Sequence, residues 1–136
     1  MRKPNWPEIL AAKIELARSK PFSWGTHDCC MFSADVVLAM TGTDYAEEFR
    51  GKYTTATGAA KALKKYGLGS IENSLTAKFG EPVHPFKASR GDVVLADAPT
   101  TYKALGVCLG EKAVFAGKDG MVFLPMNLWL CAWRIL

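Results

Sequence analysis

The chain has 136 residues, of which 49% are hydrophobic and 22% are charged, and its formal net charge is +4. This length and composition predict one globular domain over residues 1–136. No stretch approaches the roughly 20 apolar residues that cross a bilayer, so we expect no membrane span. The mild, dispersed positive charge also argues against a nucleic-acid partner.

The first half of the chain predicts four helices. Apolar residues recur at helical spacing from Trp6 through Leu10 and Ile14, and Asn5 with Glu8 has the spacing of a capping box. A turn-rich segment separates the first helix from the second, and a glycine follows each of the last three helices. The predicted helices cover residues 6–19, 29–40, 57–66 and 70–79, with residues 43–55 irregular.

The second half of the chain predicts short strands. Val, Ile, Leu, Phe, Ala and Trp dominate five segments that are separated by turn residues. The predicted strands cover residues 93–96, 105–109, 113–116, 121–124 and 128–135. Their short connections predict an antiparallel meander, and the order of helices first and strands second indicates an α+β fold.

The histidine and cysteine counts restrict the chemistry. The chain has only two histidines, His27 and His84, which excludes metal sites built from several histidines. Two of its four cysteines are adjacent, and none forms a Cys-x-x-Cys pair. We therefore expect no metal site, no cofactor and no disulfide framework, and the sequence leaves the roles of Cys30, Cys108 and Cys131 open.

The segment from Trp24 to Cys30 holds the candidate chemistry, because it puts Cys29 at the first turn of a predicted helix. Unpaired N–H groups and the helix dipole favour thiolate there, whereas a free thiol is only about 3% ionised at neutral pH. Asp28 opposes this effect, and it is also a candidate helix cap. Cys29 is thus either a nucleophile or a half-buried core cysteine.

A thiol nucleophile needs a base, and only His27 and His84 are available. The alternative for His27 is a loop or cap residue, and for His84 an exposed connector residue. Asp92 follows Gly91, which is more typical of a turn than of a catalytic acid. Three tryptophans, at positions 24, 129 and 133, are candidates for a ligand groove, the core or a subunit interface.

Three segments resemble the NlpC-type cell-wall peptidases. Residues 28–32 match that family's Asp-Cys-Ser-Gly-Phe motif, residues 90–94 its Pro-Gly-Asp-Leu-Val strand, and residues 104–110 its His-Val-Gly-Ile-Tyr-x-Gly strand. The resemblance implies a papain-like α+β fold, with N-terminal helices packed on a C-terminal antiparallel sheet or open barrel. It puts Cys29 at the nucleophile position and Ala104 at the histidine position. Since alanine accepts no proton, the resemblance implies a broken catalytic dyad.

Further segments are similar to phage-encoded relatives of that family. They are Trp-Gly-x-x-Asp-Cys-Cys at 24–30, Gly-x-Tyr at 51–53, Arg-Gly-Asp-Val-Val at 90–94, Leu-Gly-Val-Cys-Leu-Gly at 105–110 and Ala-Trp-Arg at 132–134. Such proteins look like tail-tip components of long-tailed phages and phage-like gene-transfer particles. The resemblance implies a structural or assembly role in the virion, after synthesis in the host cytoplasm, beside hub and distal tail proteins.

Two other functions stay open from the sequence. One is a thiol hydrolase that cuts peptidoglycan peptide crosslinks during genome delivery, with Cys29 as the nucleophile and His84 or His27 as the base. The other is a cytosolic thiol enzyme unrelated to phage.

Overall fold

A computed structural model describes residues 1–97 and 103–136 and confirms the α+β fold. The helices are α1 (Trp6–Arg18), α2 (Cys29–Thr41), α3 (Ala56–Tyr66) and α4 (Ile71–Phe79). The strands are β1 (Val93–Asp97), β2 (Lys103–Cys108), β3 (Lys112–Gly117), β4 (Gly120–Pro125) and β5 (Trp129–Trp133). Two 3₁₀ turns, Pro85–Lys87 and Met126–Leu128, were not predicted, but each predicted helix and strand is present with its ends within two residues.

Side chains cap three of the four helices. The side chains of Asp28, Thr55 and Ser70 each accept a hydrogen bond from a backbone N–H in the first turn of the following helix. The capping box predicted at Asn5 is wrong, because the Asn5 side chain makes no such bond. Pro7 removes one N–H that a cap would satisfy, and the backbone of Asn5 (φ −97°, ψ 28°) is not extended as a cap residue usually is.

All strand pairs of the five-stranded sheet are antiparallel, in the order β4-β3-β2-β1-β5. The predicted meander is correct for β1 to β4 and wrong for β5, which returns to pair with β1. Val93, Val94, Leu95 and Ala96 of β1 are buried, so this strand needs a neighbour on both edges. Pairing with β5 gives it that neighbour, and the Trp129 indole donates to the carbonyl of Leu124 at 3.1 Å where the chain crosses over.

The two faces of the sheet have different partners. Leu95, Leu105 and Val107 face the helices, where they pack in clusters that include residues of α2. Val94 and Ala96 lie in a cluster on the opposite face, and Ala104 packs against that cluster. Side chains of β2 therefore alternate between the helix face and the far face, as expected for a strand.

Two candidate roles from the sequence are settled by burial. Trp129 and Trp133 are 5% and 0% exposed, so both belong to the core. Asp92 is also buried, and its carboxylate accepts from the backbone of Ser89 and Ile135 and from the Arg2 guanidinium at 2.9 Å. Asp92 is therefore a structural residue that joins the start of β1 to both ends of the chain. Among the described residues, no helix is long and apolar enough to span a membrane.

Candidate functional site

A buried carboxylate holds Cys29 at the start of α2. Asp28 is 1% exposed and accepts three hydrogen bonds: from Met31 N at 2.9 Å, from Gly25 N at 2.9 Å and from the Tyr53 hydroxyl at 2.6 Å. The first bond caps the helix, and the other two tie the preceding loop and a later segment to the same group. The position of Cys29 is thus fixed from three directions.

Gly25 makes the close approach of these segments possible. Its φ is +85°, and a Cβ built on it would lie 2.1 Å from the carbonyl oxygen of Tyr53. Its own carbonyl also accepts from the N–H of Gly51 at 3.0 Å. The Trp-Gly-x-x-Asp-Cys-Cys and Gly-x-Tyr segments are therefore one hydrogen-bonded unit, although about 25 residues separate them in the sequence.

Cys29 is the one cysteine of the four whose thiol has a lowered pKa. A hydrogen bond from the Cys30 thiol is the main cause, the Leu105 backbone N–H adds to it, and burial and Asp28 oppose it. The same hydrogen bond, together with burial, raises the pKa of Cys30 well above its usual range. Burial raises the pKa of Cys108 and of Cys131. Cys29 is therefore the most readily ionised thiol in the chain.

A pocket of about 190 Å³ opens in front of the two adjacent thiols. Its walls are mostly apolar and come from α3, α4 and the segment before α3; they include Phe49, Ala56, Ala59, Leu63, Ile71 and Leu75. Two exposed lysines line it as well, Lys78 and Lys103, and the second forms an ion pair with Glu72 at 2.6 Å. The pocket thus combines an apolar interior, two thiols and a cationic edge.

Neither histidine lines this pocket or contributes to the pKa shift of Cys29. His27 is buried in the loop before α2, its ring packs edge-on against Phe32, and burial lowers its pKa. His84 precedes the first 3₁₀ turn, where its Nδ1 accepts from Phe86 N at 3.1 Å and its ring stacks on Phe86. Of the three predicted site residues, the structure puts only Cys29 in the pocket.

The strand position opposite Cys29 differs from the one that the sequence match indicated. Ala104 packs on the far face of the sheet, away from the helices. Leu105 instead lines the pocket together with Cys29 and is 2% exposed. An alignment by motif does not reveal this, because a shift of one residue along a strand moves a side chain to the other face.

Sequence reasoning missed Tyr45, which lines the pocket and is 7% exposed. Within residues 1–97 and 103–136, its hydroxyl has no hydrogen-bond partner. Ser33 is close to it but donates to the carbonyl of Cys29 at 2.9 Å. Burial raises the pKa of Tyr45 well above its usual range, so the hydroxyl keeps its proton. The only sequence clue was an aromatic residue in an irregular segment beside the predicted thiol helix.

Metal ligands do not gather at this site. In the part of the chain that the structure describes, no three His, Cys, Asp or Glu side chains lie close enough to hold a metal ion. The chemistry that the site offers is that of a thiol with a lowered pKa beside an apolar pocket, with the hydroxyl of Tyr45 in the same lining.

Comparisons with known proteins agree with this architecture. The fold is of the NlpC type: the chain is similar to the crystal structure of the NlpC/p60 domain of the peptidoglycan hydrolase SagA, with a TM-score of 0.60 and 18% sequence identity. The match covers 93% of this chain and 97% of that one. By sequence, the chain belongs to the family described as Domain of unknown function (DUF6950), whose match spans residues 1–135. No curated protein matches it.

Proposed function

We propose that this protein is a structural or assembly component of a phage or phage-like tail tip, built on an NlpC-type fold that does not hydrolyse peptides. The main support for the absence of hydrolysis is a residue of β2 that lines the pocket together with the Cys29 thiol. This residue, Leu105, is apolar and cannot act as a base, and neither histidine lines the pocket.

Amide hydrolysis by a thiol needs a group that protonates the leaving amine and later activates water, a contribution of roughly 10²–10⁴ in rate. Within residues 1–97 and 103–136, the polar groups around Cys29 do not serve this purpose. Asp28 is occupied by three hydrogen bonds. Burial raises the pKa of Tyr45 and of Tyr53, so both hold their protons at neutral pH, and Lys103 is paired with Glu72.

The tail-tip part of the proposal is supported by the sequence resemblance to phage-encoded relatives. The resembling segments at 24–30 and 51–53 meet at Asp28, so their residues have a framework role that does not depend on catalysis. Partners would be the hub and distal tail proteins, and the location would be the virion.

Gene deletion in the producing phage or prophage tests this function. We expect deletion to leave tails absent or defective in electron micrographs, and a Cys29→Ala copy to restore them fully. Normal tails after deletion would contradict the assembly role.

The second candidate is a thiol hydrolase that cleaves peptidoglycan peptide crosslinks, with Cys29 as the nucleophile and His84 or His27 as the base. The lowered pKa of Cys29 and the adjoining pocket favour it. Its test is incubation of the purified protein with peptidoglycan, followed by assay of new amino groups and of soluble peptides. Release by the native protein, absent with Cys29→Ala, would establish hydrolysis and overturn the non-hydrolytic proposal.

A further inference from the structure

We propose that the pocket beside Cys29 is an acyl-binding site, in which Cys29 takes a short fatty acyl group from an acyl thioester and keeps it as a stable S-acyl adduct. The stability of the adduct rests on the proposed function, because it requires the lack of a base at the site. The pocket would then hold a covalently attached apolar chain.

Tyr45 indicates that the pocket receives an oxygen-bearing ligand. In the part of the chain that the structure describes, its buried hydroxyl has no hydrogen-bond partner, and such a group is costly unless a ligand or water satisfies it. Tyr45 lines the same pocket as Cys29 and Cys30. A carbonyl oxygen on a carbon attached to Cys29 would supply the missing acceptor.

The size and lining of the pocket select an aliphatic chain. An apolar cavity of about 150 Å³ holds a benzene molecule, so 190 Å³ accommodates a chain of about six to eight carbons. Alanine, leucine and isoleucine side chains of α3 and α4 supply the wall. Each methylene group buried there would improve binding about fourfold.

The edge of the pocket suits an anionic carrier. Lys78 is exposed and lines the pocket, and it forms no ion pair among the described residues. Lys103 lies in the same lining but is paired with Glu72 at 2.6 Å, so the positive charge available there comes from Lys78. Positive charge at this place would favour an acyl thioester whose carrier bears phosphate groups over a neutral one.

The reaction is a transfer between two sulfur atoms. The Cys29 thiolate attacks the carbonyl carbon of the donor, a new C–S bond forms to Cys29, and the C–S bond of the donor breaks. The electron pair leaves with the carrier thiolate, which takes up the proton that Cys29 lost. A thiolate leaves without an acid, so this step needs no histidine, whereas hydrolysis of the product needs activated water.

Intact-mass analysis of the purified full chain with hexanoyl-coenzyme A tests the proposal. We expect one hexanoyl group per chain, released by neutral hydroxylamine, absent in Cys29→Ser and retained in Cys131→Ser. Hexanoyl should react faster than acetyl, which gains little burial, and than palmitoyl, which exceeds the pocket. Tyr45→Phe should slow the reaction about tenfold or more, while Tyr66→Phe, outside the pocket lining, should not.

Other outcomes have distinct meanings. No adduct on the folded native protein, or an adduct that persists in Cys29→Ser, overturns the acyl site and leaves the proposed function intact. Free hexanoate accumulating beyond one equivalent means that the thioester adduct is hydrolysed, which overturns the stable adduct; peptide hydrolysis is decided separately, by the peptidoglycan assay. Equal rates for the three chain lengths overturn the role of the pocket.

Discussion

Removing the hydrogen bond between Tyr53 and Asp28 tests whether Asp28 stabilises the fold by joining two distant segments of the chain. Tyr53→Phe removes only the hydroxyl, which donates at 2.6 Å to a carboxylate that is 1% exposed. A hydrogen bond to a charged group contributes roughly 1.5–3 kcal/mol, and the ring keeps its packing. We therefore expect the free energy of unfolding to fall by about 2 kcal/mol and the Tm by roughly 6–8 °C.

Urea denaturation followed by tryptophan fluorescence measures this change. Tyr66→Phe is the matched control: Tyr66 is half-buried, its ring packs against Phe49, and we expect a change within about 0.5 kcal/mol. A double-mutant cycle with Asp28→Asn should give a coupling energy of about 1.5–3 kcal/mol. If Tyr53→Phe were as stable as Tyr66→Phe, the idea that Asp28 unites the two segments would be refuted.

Three further variants or measurements test other features. Gly25→Ala puts a Cβ against the Tyr53 carbonyl and should lower the free energy of unfolding by about 3 kcal/mol or more. Gly42 has a similar φ of +84° but open space around it, so Gly42→Ala should lower it by only about 1 kcal/mol. Thermal denaturation of the two variants measures the difference. Iodoacetamide should alkylate Cys29 faster than Cys131, and the alkylation rate of Cys29 should reach half its maximum at a lower pH than that of Cys131. The reason is that the pKa of Cys29 is lowered and that of Cys131 is raised. Equal pH profiles for the two cysteines, measured by mass spectrometry of their peptides, would contradict this. Leu105→His should increase the alkylation rate of Cys29 roughly tenfold, since an imidazole would then line the pocket beside the thiol. Ala104→His, on the far face of the sheet, should leave the rate unchanged. The reverse result would show that Ala104 faces the thiol.

Local features of this fold were predictable, and those that depend on distant contacts were not. Apolar residues at helical spacing and the glycines after the last three helices predicted the helices, and the position of Cys29 at the start of α2 followed from the turn-rich segment before it. The pairing of β5 with β1 depends on which strand has an edge without a hydrogen-bonding neighbour once the other strands have paired. The residues next to β5 in the sequence do not determine this.

The candidate site shows the same division between local and distant contacts. The position of Cys29 was predictable because it depends on residues next to it in the sequence, namely the preceding turn and the first turn of α2. That Leu105 rather than Ala104 faces it depends on how β2 lies against α2, and a motif match does not fix this to one residue. Tyr45 belongs to no motif, and it is distinguished only by its burial and by a hydroxyl that has no partner among the described residues.

The guanidinium of Arg2 has a consequence for engineering this chain. It donates to the Ile135 carbonyl at 2.6 Å and to the Asp92 carboxylate at 2.9 Å, so residues 2 and 135 lie side by side. A short glycine-serine linker would therefore join residue 136 to residue 1 without stretching the fold, and a circularly permuted chain becomes a practical design. Conversely, fusion partners attached at the two ends would emerge side by side and compete for the same surface.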